Sequence, residues 1–215
     1  MINTYFPLKV HTHFSLGTGI SKPNYVARRC AEIGLPGAAV TDIDSMSGSI
    51  GFSESMEKRK LKQIIGCEFS IVKDHAEKTK NCSTMTLIAR NYKGWLELVK
   101  CISLANTHYY FEKPHITVEE IAQLVHPENV FAIGGWLGSD IGDTIFQNPK
   151  EIYLASSYEA AKNATNKNWF KDVSNKIARY KEIFGDSFYL GSQLVEVHSL
   201  HESRLIHEGM SYAGM

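Results

Sequence analysis

His11 and His13 stand two residues apart, after a β-type run from Tyr5 to Val10 and before a Gly-rich turn, Gly17-Thr18-Gly19. If the strand continues through Val10, its period of two puts both imidazoles on one face. Two imidazoles so placed at the mouth of a strand can share one divalent metal. A His-x-His pair also occurs as two surface or capping histidines, so the pair needs company. Two carboxylates supply it. Asp42 ends the short apolar run that begins at Gly37, and Glu68 lies near the end of the run Gln63 to Phe69.

Composition narrows the function classes. A chain of 215 residues, 43% hydrophobic and 21% charged, has the profile of an ordinary globular domain with a proper core. Lys plus Arg and Asp plus Glu both number 23, which argues against an autonomous, salt-driven nucleic-acid binder. Trp95, Tyr109, Tyr110 and Phe111 have little basic charge between them and read as core or interface rather than a base-stacking platform. The four cysteines form no C-x-x-C pair, which argues against a zinc knuckle. No signal peptide and no apolar run of about 18 residues is seen, so the expected compartment is the reducing cytoplasm, with free thiols.

The elements that must position these residues alternate between strand and helix. Ser21-Lys22-Pro23 predicts a helix start, with Ser21 as cap, and Gly34 its stop. A strand from Gly37 to Asp42, a helix from Ser49 to Lys60 and a strand from Gln63 to Phe69 follow. A polar loop excursion occupies about residues 73–82. Met85 to Ala89 predicts a strand, Gly94 to Ala105 an amphipathic helix, and Thr117 with Glu120 a capping box for a helix ending near Val125. Val130 to Gly135 is a further strand. Lys150 to Phe184 reads as helical, Ser187 to Val197 as a strand region and His201 to Tyr212 as a last helix. This alternation predicts an α/β fold with a mainly parallel sheet, whose strand ends carry the chemistry.

Three stretches in order resemble a known family: His11-Thr12-His13-Phe14-Ser15-Leu16, Ala39-Val40-Thr41-Asp42 and Ile64-Ile65-Gly66-Cys67-Glu68. They are similar to the opening motifs of PHP domains (polymerase and histidinol phosphatase), most closely the N-terminal PHP domain of bacterial replicative DNA polymerase III alpha subunits. Leu87 to Asn91, Gly94-Trp95, and Tyr180 to Asp186 before Phe188-Tyr189-Leu190 extend the resemblance. It implies a single PHP-like domain over residues 1–215, folded as a distorted TIM-like β/α barrel. Active relatives hold up to three divalent metals and hydrolyse phosphoesters, some as proofreading 3′–5′ exonucleases.

The chain departs from that pattern where ligands are concerned. Motif II continues Thr-Asp-His in the family, whereas Ile43 follows Asp42 here. Thr18, Thr84 and Trp136 fall where ligands are usual, and a Glu expected after Leu190 is Gly191, with Glu196 or His198 as shifted equivalents. The resemblance therefore leaves His11, His13 and Glu68 as a vestigial metal site, with Asp42 and His198 as accessory positions. Such a site would take at most one weakly held zinc, manganese or magnesium ion. Plain structural readings stand beside these. Glu68 would serve as a strand-end carboxylate facing a helix N-terminus, Asp42 as a loop-fixing acceptor, and His198 and His201 as solvated surface residues.

The expectation is a catalytically degenerate module with a structural or docking role in DNA replication. Its expected partners are the remainder of a polymerase chain, a replisome subunit such as a proofreading exonuclease, or a second copy. DNA contact would be indirect. The competing expectation is a stand-alone metal-dependent phosphoesterase or 3′–5′ exonuclease with a reduced metal cluster. In the family the last helix leads to a strand ending in Asp-x-His; here Ala213-Gly214-Met215 stands in its place, so the barrel is expected to lack its last strand and leave a sheet edge for a partner to cover.

Overall fold

The computed structural model describes residues 5–76, 82–108, 110–136, 138–145, 157–163, 165, 167–191 and 205. Helices and strands alternate: α1 (Pro23–Glu32), β1 (Gly37–Val40), α2 (Ser49–Glu57), β2 (Lys62–Ile71), β3 (Ser83–Ala89), α3 (Tyr92–Thr107), the short β4 (Tyr110–Phe111) and β5 (Lys113–Pro114), α4 (Val118–Leu124), β6 (Val130–Gly134), α5 (Tyr158–Asn163), α6 (Trp169–Phe184) and β7 (Phe188–Leu190). Five strands follow the hydrogen-bonded order β1-β2-β3-β6-β7, with β1–β2 and β6–β7 parallel. This is the mixed α/β class that the alternation predicts. Among the described residues no helix is long and apolar enough to cross a membrane. The chain divides into two compact units, Met1–Cys82 with Thr86–Phe131, and Ser83–Met85 with Ala132–Met215.

In the first unit, β1 reads Gly-Ala-Ala-Val and is buried at all four positions, as a strand covered on both faces requires. Ala27 and Cys30 of α1 and Phe52 and Met56 of α2 pack with Leu35, Ala38 and Val40. Full burial of a side chain such as Phe52 or Met56 contributes about 1.5–3 kcal/mol. Helix α1 has Pro23 in its first turn, where a missing N–H costs nothing. Its cap is Lys22 rather than Ser21, and without a side-chain bond. The Ser21 carbonyl instead accepts the His13 N–H at 2.9 Å, tying the helix entry to the histidine loop. Helix α2 ends three residues earlier than expected. Lys60 takes a left-handed conformation (φ 56), and the Leu61 N–H reaches back to the Met56 carbonyl at 3.0 Å.

The expected strand from Tyr5 to Val10 does not form as a regular strand. Pro7 has no N–H, and the Val10 N–H donates to the Thr41 side-chain oxygen at 3.0 Å. The carbonyls of Pro7 and Val10 accept from the N–H groups of Ala39 and Thr41. The segment runs along β1 by half a ladder.

Helix α3 is longer than its periodicity suggests because Asn91 caps it, its side chain accepting the Gly94 N–H at 2.9 Å. Glu97 then holds the turn before β6, accepting from the backbone N–H and Nδ1 of His126 and from Nδ2 of Asn129. Burial alone would raise the Glu97 pKa, but these donors outweigh it and hold the group below the usual range. The Thr117–Glu120 capping box of α4 forms as expected, with both reciprocal bonds present.

In the second unit, Ser139 organises the turn after β6, its hydroxyl oxygen accepting from the N–H groups of Gly135 and Gly142. Asp140 accepts from the Lys176 ammonium at 2.6 Å and the Tyr180 hydroxyl at 2.7 Å, fastening α6. The helical stretch expected from Lys150 to Phe184 is broken between α5 and α6. Residues 146–156, the strand region beyond Gly191 and, apart from Leu205, the helix expected from His201 to Tyr212 lie outside the described residues.

Two glycines of the first unit give opposite expectations. A Cβ on Gly94 would come 2.0 Å from the Asn129 carbonyl oxygen, which the Arg90 N–H also holds at 2.8 Å. Gly94→Ala should cost about 2–3 kcal/mol and lower the Tm by roughly 5–10 °C. Gly51 lies exposed within α2 with nothing near its missing Cβ, so Gly51→Ala should stabilise by about 0.5–1 kcal/mol. Thermal unfolding of both variants checks the pair. Equal effects would show that the Asn129 contact imposes no constraint.

Candidate functional site

The loop after Val10 is built around a carboxylate thirty residues away. Asp42 is 2% exposed. Its Oδ1 accepts from the Thr12 N–H at 2.5 Å and the Ser15 hydroxyl at 2.7 Å, and its Oδ2 from the Thr12 hydroxyl at 2.7 Å. The Ser15 oxygen in turn accepts the Ile43 N–H at 3.0 Å. Gly48 lies against the same group, since a Cβ there would meet Asp42 Oδ2 at 2.8 Å. With three donors from Thr12 and Ser15, the carboxylate closes the histidine loop.

That closure decides where the histidines go. The Ser15 N–H bonds the Thr12 carbonyl, and those of Thr18 and Gly19 bond the Ser15 carbonyl, so the chain leaves extended geometry at Thr12. The condition for period-two placement of His11 and His13, a strand continuing through Val10, is therefore not met, and His13 falls in the turn itself. His13 is exposed and packs its ring on Phe14, with centroids 4.2 Å apart. His11 is partly buried, and its Nε2 lies 2.8 Å from Glu68 Oε2. Against a carboxylate oxygen this nitrogen is the donor.

Glu68 is 3% exposed near the middle of the buried half of β2. Its backbone is fixed on both sides, its N–H donating to the Asp42 carbonyl and its carbonyl accepting the Asp44 N–H. The second carboxylate oxygen, Oε1, lies 3.0 Å from the Lys9 ammonium. Burial pulls the Lys9 pKa below the ordinary lysine range, and the Glu68 charge offsets part of that. The motif reading missed Lys9. A signal was present, because Lys9 precedes His11 by two residues, and the period-two argument runs backwards along the chain as well as forwards.

Asp44 adds a further buried carboxylate, accepting from the Ser70 N–H at 2.7 Å and its hydroxyl at 2.6 Å. Burial, moderated by these donors, pushes its pKa up to about 6. Cys67 is fully buried, and burial raises its thiol well above the ordinary range, so it is an inert core residue here. Among the described residues no three His, Cys, Asp or Glu side chains come together as a metal set. His198 lies outside the described residues.

Three positions at which the motif comparison calls for ligands fall in the second unit, and Trp136 neighbours the other two. Its indole N–H donates to the Thr84 hydroxyl oxygen at 3.2 Å, and that hydroxyl donates to the Gly138 carbonyl at 3.3 Å. A Cβ on Gly191 would lie 3.4 Å from Trp136 Cε3. Trp136 itself is 4% exposed.

Asp42→Ala should leave the Thr12 N–H and two buried hydroxyls without their acceptor, at a cost of about 3–4 kcal/mol. The loss should be local first, so that amide hydrogen exchange at Ser15, Thr18 and Gly19 quickens more than exchange in α3. Unchanged exchange in that loop would show that Asp42 is not what closes it.

The model of the family described as PHP domain matches residues 7–193. A DNA polymerase III subunit alpha of Helicobacter pylori (strain ATCC 700392 / 26695) is 30% identical over 207 residues, covering 94% of this chain and 16% of the relative. The subunit of Vibrio cholerae serotype O1 is 24% identical over 210 residues, with 97% and 16% covered. The chain thus spans about 16% of the length of these relatives. An amidohydrolase structure from Chromobacterium violaceum, with bound sulfate and no metal, matches with a TM-score of 0.37 at 18% identity, over 46% of this chain and 32% of that one. The match over residues 7–193 carries the assignment: the chain belongs to the PHP domain family.

Proposed function

We infer that this is the PHP module of a polymerase III alpha-like protein, hydrolytically silent and serving as a structural or docking element in DNA replication. The homology to polymerase III alpha subunits supports the replication context, and with it a cytoplasmic site of action. The distorted β/α barrel that the resemblance implies is part of the same reading. The remainder of a polymerase chain, or a replisome subunit such as a proofreading exonuclease, is the partner it would hold.

The observation that carries the silent reading is the packing around Trp136. Clustered metals in a phosphoesterase activate a water and clamp the attacking and leaving oxygens. Here a buried indole stands at one expected ligand position, bonded to the hydroxyl at a second and packed beside the glycine at a third. Neither indole nor hydroxyl replaces the imidazole, thiolate or carboxylate such ions take. In the first unit, His13 is exposed against Phe14, and among the described residues no three His, Cys, Asp or Glu side chains gather as a metal set, which supports a reading with no hydrolytic step through a shared ion.

Purified protein supplied with manganese or zinc should hydrolyse p-nitrophenyl phosphate and 3′-labelled single-stranded DNA only at the rate of a buffer control. Turnover that persists through successive columns and disappears in His11→Ala would instead favour the reduced-cluster phosphoesterase.

A further inference from the structure

We propose that the Lys9 ammonium is a resident cation that takes the place of a metal ion at Glu68, leaving the carboxylate closed to metals. The two oxygens of Glu68 are both engaged, Oε1 by Lys9 at 3.0 Å and Oε2 by His11 Nε2 at 2.8 Å. Its side chain is 4% exposed, whereas those of Lys9 and His11 are 24% and 18% exposed. The carboxylate is thus the innermost member, with the two nitrogen groups between it and solvent.

The arrangement is held from the backbone. The Val10 carbonyl accepts the Thr41 N–H, and the Thr12 N–H is fixed on Asp42, so the residues flanking both Lys9 and His11 are pinned. Lys9 and His11 share one face of this extended segment, two residues apart, and both reach β2. A dication approaching Glu68 would compete with the ammonium and the imidazole N–H, one on each carboxylate oxygen. The displaced ammonium would then remain a few ångströms from a double positive charge in a poorly solvated site.

This geometry makes a specific substitution informative. Lys9→His would exchange the cation for an imidazole and supply, with His11 and Glu68, the ligand types of an open three-ligand zinc site. Lys9→Met would remove the cation from Oε1 and keep the His11 contact at Oε2.

The inference rests on the reading of the site as a silent PHP centre, but it fails separately. Metal uptake at Glu68 would overturn it even with hydrolysis still at background. The test is calorimetric titration of untagged, chelator-treated full chain with zinc. Lys9→His should gain one bound zinc per chain that wild type lacks and lose it on adding Glu68→Gln. Wild type should show no zinc binding that Glu68→Gln removes. Thermal unfolding supplies the second readout. Lys9→Met should lower the Tm by roughly 10 °C, and adding Glu68→Gln should restore much of it, because the stranded charge is gone. Wild-type zinc binding that depends on Glu68, a folded Lys9→His that gains none, or a Lys9→Met that unfolds at the wild-type temperature would each overturn the proposal.

Discussion

The Asp42 carboxylate, sealed from water with three donors from one loop, is the constraint on which the first unit depends. A buried carboxylate is costly unless its lone pairs are filled, and a half-filled network is worse than none. Thr12 and Ser15 fill them, so the loop from His11 to Gly19 has one low-energy placement relative to β1. Short-range consequences follow in both directions along the chain. Lys9 and His11 are carried onto β2, while His13 is turned out to the surface.

The same economy appears at Glu68. A carboxylate on a buried strand needs compensation, and in this family divalent metals are the expected source. Here the compensation is covalently part of the chain, one ammonium and one imidazole N–H, each within hydrogen-bonding distance. In the second unit Asp140 is answered in a comparable way by Lys176 and Tyr180, and Trp136 covers the Thr84 hydroxyl. Within each unit, Asp42, Glu68 and Asp140 are each answered by donors of the protein itself, and such an arrangement suits a scaffold that must stay folded without a cofactor.

Much of the fold was legible because its signals are local. The Thr117–Glu120 box, Pro23 in the first turn of α1 and the buried Gly-Ala-Ala-Val run each act through neighbours within a few residues. The site was less legible because its geometry is set across long separations. Whether His13 stays on the face of His11 depends on where the chain turns, and Asp42 sets that turn from thirty residues away. The strand expected from Tyr5 failed for a similar reason, since Val10 spends its N–H on the Thr41 side chain. Lys9 escaped notice because a lysine is no ligand, and a search for donors passes over the residue that makes a donor unavailable.

The claim that Glu68 is held by the chain's own lysine is tested most directly on the unaltered protein. Crystals soaked in manganese or zinc and measured at the metal's absorption edge would reveal any ion by its anomalous signal. The account predicts no peak within the roughly 2.0–2.2 Å of a carboxylate ligand from Glu68, and Lys9 density beside Oε1. A peak ligated by Glu68 and His11, with the Lys9 side chain swung away, would contradict it.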